Sequence, residues 1–200
     1  MSKAILLSIK PKYVADILNG IKTIEIRKTA PKDWVWFYDD KHPVIEPEPI
    51  DVYIYCTKGK EICLKENDSY KLWSKEKIAI VAQGGNINCS DFLNGKVVAK
   101  FTLKKVEEIQ GYCDEQYQKY VFNNQDELLN KSCLSDEELG CYLKFYNNNG
   151  YEKVGYAWHI SNLVIFDRPK KLRDFTNCDE YPYTRYISKA PQSWRWVEVE

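Results

Sequence analysis

Ala4 to Ile9 is apolar except at Ser8, and so short a run reads as a buried strand. Lys10-Pro11 ends it. Proline suits the first turn of a helix, where a backbone N–H would have no partner. Tyr13, Val14, Ile17 and Leu18 then recur at helical spacing, with Lys12, Asp16 and Asn19 outside the stripe. Gly20 is the expected stop, because glycine reaches φ > 0 without steric cost. Beyond it the period changes to two. Ile24 and Ile26 fall on one face, and Thr23, Glu25 and Arg27 on the other. Lys22 stands at the mouth of the turn and Lys28 follows the row.

Further along, Ile50 to Thr57 alternates, with Val52, Ile54 and Cys56 opposite Tyr53, Tyr55 and Thr57, before the basic turn Lys58-Gly59-Lys60. Ile78 to Ala82 reads as another short buried strand. Gly84-Gly85-Asn86 is a turn and not a phosphate loop, since no Lys-Ser/Thr follows. Asn94-Gly95 is a tight-turn pair, and Lys96 to Ile109 reads as one long strand or a bent pair. Between about 112 and 153 the pattern turns helical. Asp114, Asp126 and Ser135 are candidate helix starts, Ser135 to Glu138 matches a capping box, and Leu139, Tyr142, Leu143 and Tyr146 form a stripe. Tyr151 to Phe166 returns to strand character, Lys170 to Phe175 is a short basic turn or helix, and Trp194 to Val199 closes the chain as a strand. Thr29 to Pro49 is irregular, with four prolines and the aromatics Trp34, Trp36, Phe37 and Tyr38. A loop of that length acts either as a cover over the core or as a lid on a pocket.

Composition narrows the function. Lys plus Arg and Asp plus Glu are 29 each, so the net charge is zero and nucleic acid would have to meet a local patch, not a general basic surface. No run approaches the ~18 apolar residues of a membrane span. Seven cysteines at irregular spacing, with no Cys-x-x-Cys pair, point to reduced thiols in a cytoplasmic protein. His42 and His159 lack neighbours at metal-ligand spacing, so neither a metal nor a cofactor is expected. His159 reads as a hydrogen-bonding group within the strands.

The run Gly20-x-Lys22-x-x-Glu25-x-Arg27 resembles the signature of the ASCH domain, a branch of the PUA-like superfamily. Leu7-Ser8-Ile9-Lys10-Pro11, Val52 to Thr57, Gly95 to Ala99, Trp158-His159-Ile160-Ser161 and Pro191 to Trp194 agree with it in order along the chain. The resemblance implies an α+β fold: a small mixed β-barrel flanked by helices, one domain over residues 1–200 with a helical insertion at about 112–153. It implies an RNA- or nucleotide-binding module that recognises a base or single strand in a cleft lined by Gly20–Lys28. The candidate ligand-binding residues are Lys10, Lys22, Thr23, Glu25, Arg27, Lys28 and Lys58, with Tyr55 or Trp194 stacking on a base. Each has a plain alternative: solvated lysines, a surface ion pair between Glu25 and Arg27, core aromatics. On the site reading, Glu25→Gln removes binding and leaves melting nearly unchanged. Some small ASCH proteins are amidohydrolases acting on N4-acetylcytidine-like nucleosides. Under that alternative Lys22 and Glu25 are the catalytic candidates, although Glu25 occupies the place of the family's catalytic threonine. A third reading makes the 112–153 insertion a contact surface for a protein partner.

Overall fold

The computed structural model describes residues 2–31, 48–83, 91–114, 119–143, 152–178 and 186–199. The aromatic loop at 32–47, the glycine pair at 84–85 and the stripe residue Tyr146 lie outside them. The chain divides into two compact units. One comprises residues 1–21, 50–102 and 162–200, and the other residues 22–49 and 103–161.

The first unit is built on β1 (Ser2–Ile9). Its parallel neighbour is β3 (Ile50–Cys56), and its antiparallel neighbour is β10 (Trp194–Val199). The helix α1 (Pro11–Leu18) follows β1, with Pro11 in its first turn as the sequence predicts. β6 (Val97–Asp114) and β8 (Glu152–Lys170) contribute their residues up to 102 and from 162. The strand order here is β8–β6–β3–β1–β10–β9, where β9 is Thr176–Asn177. One core cluster joins Ala4, Leu6, Tyr53, Tyr55, Val97, Phe175 and Val197. A separate hairpin, β4 (Glu61–Glu66) and β5 (Ser69–Ser74), turns through Asn67 at φ 54°.

The second unit holds β2 (Ile24–Arg27), the remainder of β6 and β8, β7 (Lys119–Phe122), α3 (Gln125–Ser132) and α4 (Asp136–Leu143). β2 pairs antiparallel with β8, placing Ile24 opposite His159, Glu25 opposite Trp158, Ile26 opposite Ala157 and Arg27 opposite Tyr156. The strand order is β2–β8–β6–β7. Ile24, Ile26, Ile109, Phe122, Leu128, Leu139, Leu143 and Ala157 form the core. The capping box is present: Ser135 Oγ accepts from the Glu138 N–H at 3.1 Å, and Glu138 Oε2 accepts from the Ser135 N–H at 3.0 Å.

The mixed α+β class holds, but the sheet is open. Among the described residues β2 is paired in the sheet with β8 alone and β9 with β10 alone, so no ladder closes a barrel. Ile78 to Ala82 is not a strand but the body of a helix, α2 (Lys75–Gln83), with Ile80 70% exposed. A five-residue apolar run does not distinguish helix from strand by period, and the Lys75-Glu76-Lys77 lead-in favours the helix. Asp114 is the last residue of β6. Within the segment read as a helical insertion, β7 pairs antiparallel with the end of β6, and α3 and α4 follow.

Candidate functional site

The organising segment begins where α1 stops. The Ile21 N–H donates to the Asp16 carbonyl at 2.9 Å, and the Gly20 N–H donates to the Ile17 carbonyl at 2.9 Å. That paired closure needs a left-handed residue after the cap, and Gly20 supplies it at φ 73°. The cap residue Asn19 is held on both sides of its amide. Its Nδ2 donates to the Tyr70 carbonyl at 2.8 Å and its Oδ1 accepts from the Tyr70 N–H at 2.9 Å.

Past the turn, three ionisable side chains are buried together in the second unit. Lys22 is 2% exposed, Glu25 6% and Arg27 8%. Lys22 Nζ lies 3.3 Å from Glu25 Oε2, and Arg27 Nη2 lies 3.0 Å from Glu25 Oε1. One carboxylate thus holds a cation on each oxygen. Lys22 Nζ also donates to the Ser132 carbonyl at 2.6 Å. Ser132 ends α3, where unsatisfied carbonyls and the helix dipole favour a cation. The backbone is fastened at the same place, with the Thr23 N–H donating to the Lys131 carbonyl at 2.9 Å and the Thr23 carbonyl accepting from the Ile160 N–H at 2.9 Å. Lys131 and Ser132, at the end of α3, therefore help to enclose Lys22, a part the sequence pattern did not assign to them. Glu25 and Arg27 share a face with Trp158, which is completely buried across the strand pair.

The other sequence candidates are distributed differently. Thr23 and Lys28 flank the buried trio and are exposed, and Lys28 Nζ lies 5.4 Å from the ring centre of Tyr142. In the first unit Lys10 and Lys58 are exposed and Trp194 is half-buried, edge-on to Trp196. Tyr55 is 6% exposed and belongs to the core. Burial pushes its phenol up, with the neighbouring Cys56 adding to the effect. The stacking role expected of Tyr55 is corrected: Val52, Tyr53, Ile54, Tyr55 and Cys56 are all buried, so both faces of β3 are covered and its alternation marks no outward side.

A second polar group was not legible in the sequence. His159 Nε2 lies 2.7 Å from Glu107 Oε2, and Lys105 Nζ lies 2.5 Å from Glu107 Oε1. Burial pushes the Glu107 carboxyl up, but hydrogen bonds from Lys105 and His159 outweigh it and hold the group below its ordinary value. His159 and Glu107 are 52 positions apart, and the pairing exists only because β6 and β8 are neighbours. Among the described residues no group of three or more His, Cys, Asp or Glu side chains is arranged to hold a metal ion, and no helix is long and apolar enough to cross a membrane.

In fold the chain is similar to solved ASCH structures from Zymomonas mobilis. The parent structure matches at 13% identity and a TM-score of 0.42, covering 98% of this chain and 87% of the other. A serine-to-alanine variant of that protein matches at 13% identity and a TM-score of 0.41, covering 98% and 88%, and a tyrosine-to-phenylalanine variant at 13% and 0.42, covering 98% and 91%. No protein-family model matches the sequence, and no curated protein matches it.

Proposed function

We propose that this chain is an RNA- or nucleotide-binding module whose Gly20–Lys28 segment receives a base. The observation that carries the reading is the burial of Lys22, Glu25 and Arg27 around a single carboxylate. Apolar side chains of similar volume would fill that space at lower cost, since desolvating such a group offsets much of its Coulombic gain. The arrangement is suited to recognition. Each carboxylate oxygen has a second lone pair for a base amino group, and the guanidinium fork of Arg27 fixes the direction of that carboxylate.

Around the trio the segment offers exposed contacts. The Thr23 hydroxyl and Lys28 ammonium suit sugar and phosphate. Tyr142, 39% exposed beside Lys28, replaces Tyr55 as the aromatic on which a base would stack. These side chains all belong to one unit.

The test is fluorescence anisotropy with short labelled single-stranded RNAs, alongside a nucleotide titration followed by NMR. Tyr142→Ala and Lys28→Gln alter exposed positions and should fold normally. Tyr142→Ala is expected to weaken binding by about 1–3 kcal/mol, the usual worth of one stacked base. Arg27→Lys keeps the charge but loses the fork and should weaken binding further. Full affinity in all three variants, or no binding by the parent chain, would sink the reading. Turnover of N4-acetylcytidine that is abolished by Lys22→Ala would replace it with the hydrolase.

A further inference from the structure

Two thiols meet in the first unit. Cys56 ends β3 and Cys63 lies within β4, and both are completely buried. The Cys56 thiol is hydrogen-bonded to that of Cys63. Asn94 fixes their approach. Its Oδ1 accepts from the Cys63 N–H at 2.8 Å and lies 3.9 Å from Cys56 Sγ. Its Nδ2 donates to the Glu61 carbonyl at 2.9 Å and to the Thr57 carbonyl at 3.3 Å. One side-chain amide thus holds both ends of the turn that separates the two cysteines. The turn itself, Lys58-Gly59-Lys60, is exposed. β4 and β5 form a sheet of their own, so the thiol pair joins two sheets.

We propose that Cys56 and Cys63 are a redox latch: under sustained exposure to an oxidised low-molecular-weight disulfide they close a disulfide that ties the β4–β5 hairpin to the end of β3. The exchange runs as two displacements. One protein thiolate attacks a sulfur of the small disulfide, which gives a mixed disulfide and releases one small thiolate. The second protein thiolate then attacks the protein sulfur of the mixed disulfide and releases the other. One S–S bond breaks and one forms. The two protein thiols are oxidised, and their two protons leave with the two small thiols. The thiols are already hydrogen-bonded, so closure needs no long movement of the chain. They are also shut away. The hydrogen bond with Cys63 and burial push the Cys56 thiol up, away from the reactive thiolate. Exchange therefore waits for the turn to open locally and break the Asn94 clamp. Cys141 is exposed and reacts without that opening.

The test incubates the full chain with glutathione disulfide, alkylates the remaining thiols under denaturing conditions and maps the peptides by mass spectrometry. A linked Cys56–Cys63 peptide, two hydrogens lighter than the reduced pair, is expected. Its rate of appearance should level off as glutathione disulfide is raised, because opening limits it, whereas modification of Cys141 should keep rising in proportion. Tryptic cleavage after Lys58 and Lys60 under native conditions is the second readout. A cross-link across so short a turn restricts its opening, so the oxidised chain should be cut at least about tenfold more slowly than the reduced one. Dithiothreitol should restore the faster rate. Both readouts compare two states of the same chain, so neither depends on a variant that has to fold. No linked peptide at equilibrium, a closure rate proportional to glutathione disulfide throughout, or equal cleavage in the two states overturns the proposal.

Discussion

At the scale of single residues, burial decides what the charged row means. Period-two alternation places Glu25 and Arg27 on one face, and that direction was readable from the sequence. Their depth was not. It depends on Trp158 across the strand pair and on the end of α3, and Ser132 is 110 positions from Lys22. The depth reverses the expectation that Glu25→Gln leaves melting unchanged. Without the carboxylate, Lys22 and Arg27 lose the counter-ion they share, and breaking a buried pair in this way costs about 3–5 kcal/mol. Urea titration of Glu25→Gln should show that loss, whereas a change within about 0.5 kcal/mol would mark the trio as solvated. The Glu107 group sets a second residue-scale outcome. Its folded carboxyl titrates below the ordinary value of 4.5, so the stability it contributes is present above pH 4.5 and fades as pH falls through the folded value. Parent and Glu107→Gln should therefore differ in melting temperature near neutral pH, and the difference should shrink as pH falls below 4.5 through the folded value. A difference that persists in acid would exclude the ionised carboxylate as its source.

At the scale of elements, local signals succeeded where a special residue or a cap forces the backbone. The α1–Gly20 turn, the Ser135 capping box and the Asn94-Gly95 turn, with Gly95 at φ 80°, all follow from residues that favour one conformation. Reading failed where neighbours decide. Tyr55 alternates like a half-exposed strand residue but sits in a strand buried on both faces, and the β4–β5 hairpin turns at the positive-φ Asn67. β6 shows the same limit within one strand. Val97, Ala99, Phe101 and Leu103 are buried at period two, then Lys104 and Lys105 are both exposed and the phase shifts to Val106 and Ile109. The Gly20 turn allows a clean test of backbone strain. An added Cβ there meets no atom within 4 Å, so the whole effect of Gly20→Ala comes from holding alanine at positive φ. The expected loss is about 1 kcal/mol. Chemical denaturation should show it with an unchanged m-value, and a stabilised Gly20→Ala protein would mean that the turn is not held in this conformation.

At the scale of the whole molecule, the balance of 29 basic against 29 acidic residues governs how any nucleic acid is held. A protein that grips a backbone electrostatically releases one condensed counter-ion for each phosphate it neutralises, and its affinity falls steeply with salt. This chain has no net charge with which to do that. Its buried Arg27 is committed to a carboxylate, and the exposed cation of the proposed segment is Lys28. One or two phosphate contacts are the most the segment can offer, and base stacking and edge recognition must supply the rest. The slope of log K against log salt for a single strand is about −0.7 per phosphate, so the expected slope is roughly −0.7 to −1.4. It should become shallower by about 0.7 in Lys28→Gln and stay constant in Tyr142→Ala, even though both variants bind less tightly. Anisotropy titrations across a salt series measure this directly. A slope several times steeper, or one that Lys28→Gln leaves untouched, would place the binding surface on lysines elsewhere in the chain and remove the Gly20–Lys28 segment from the interface.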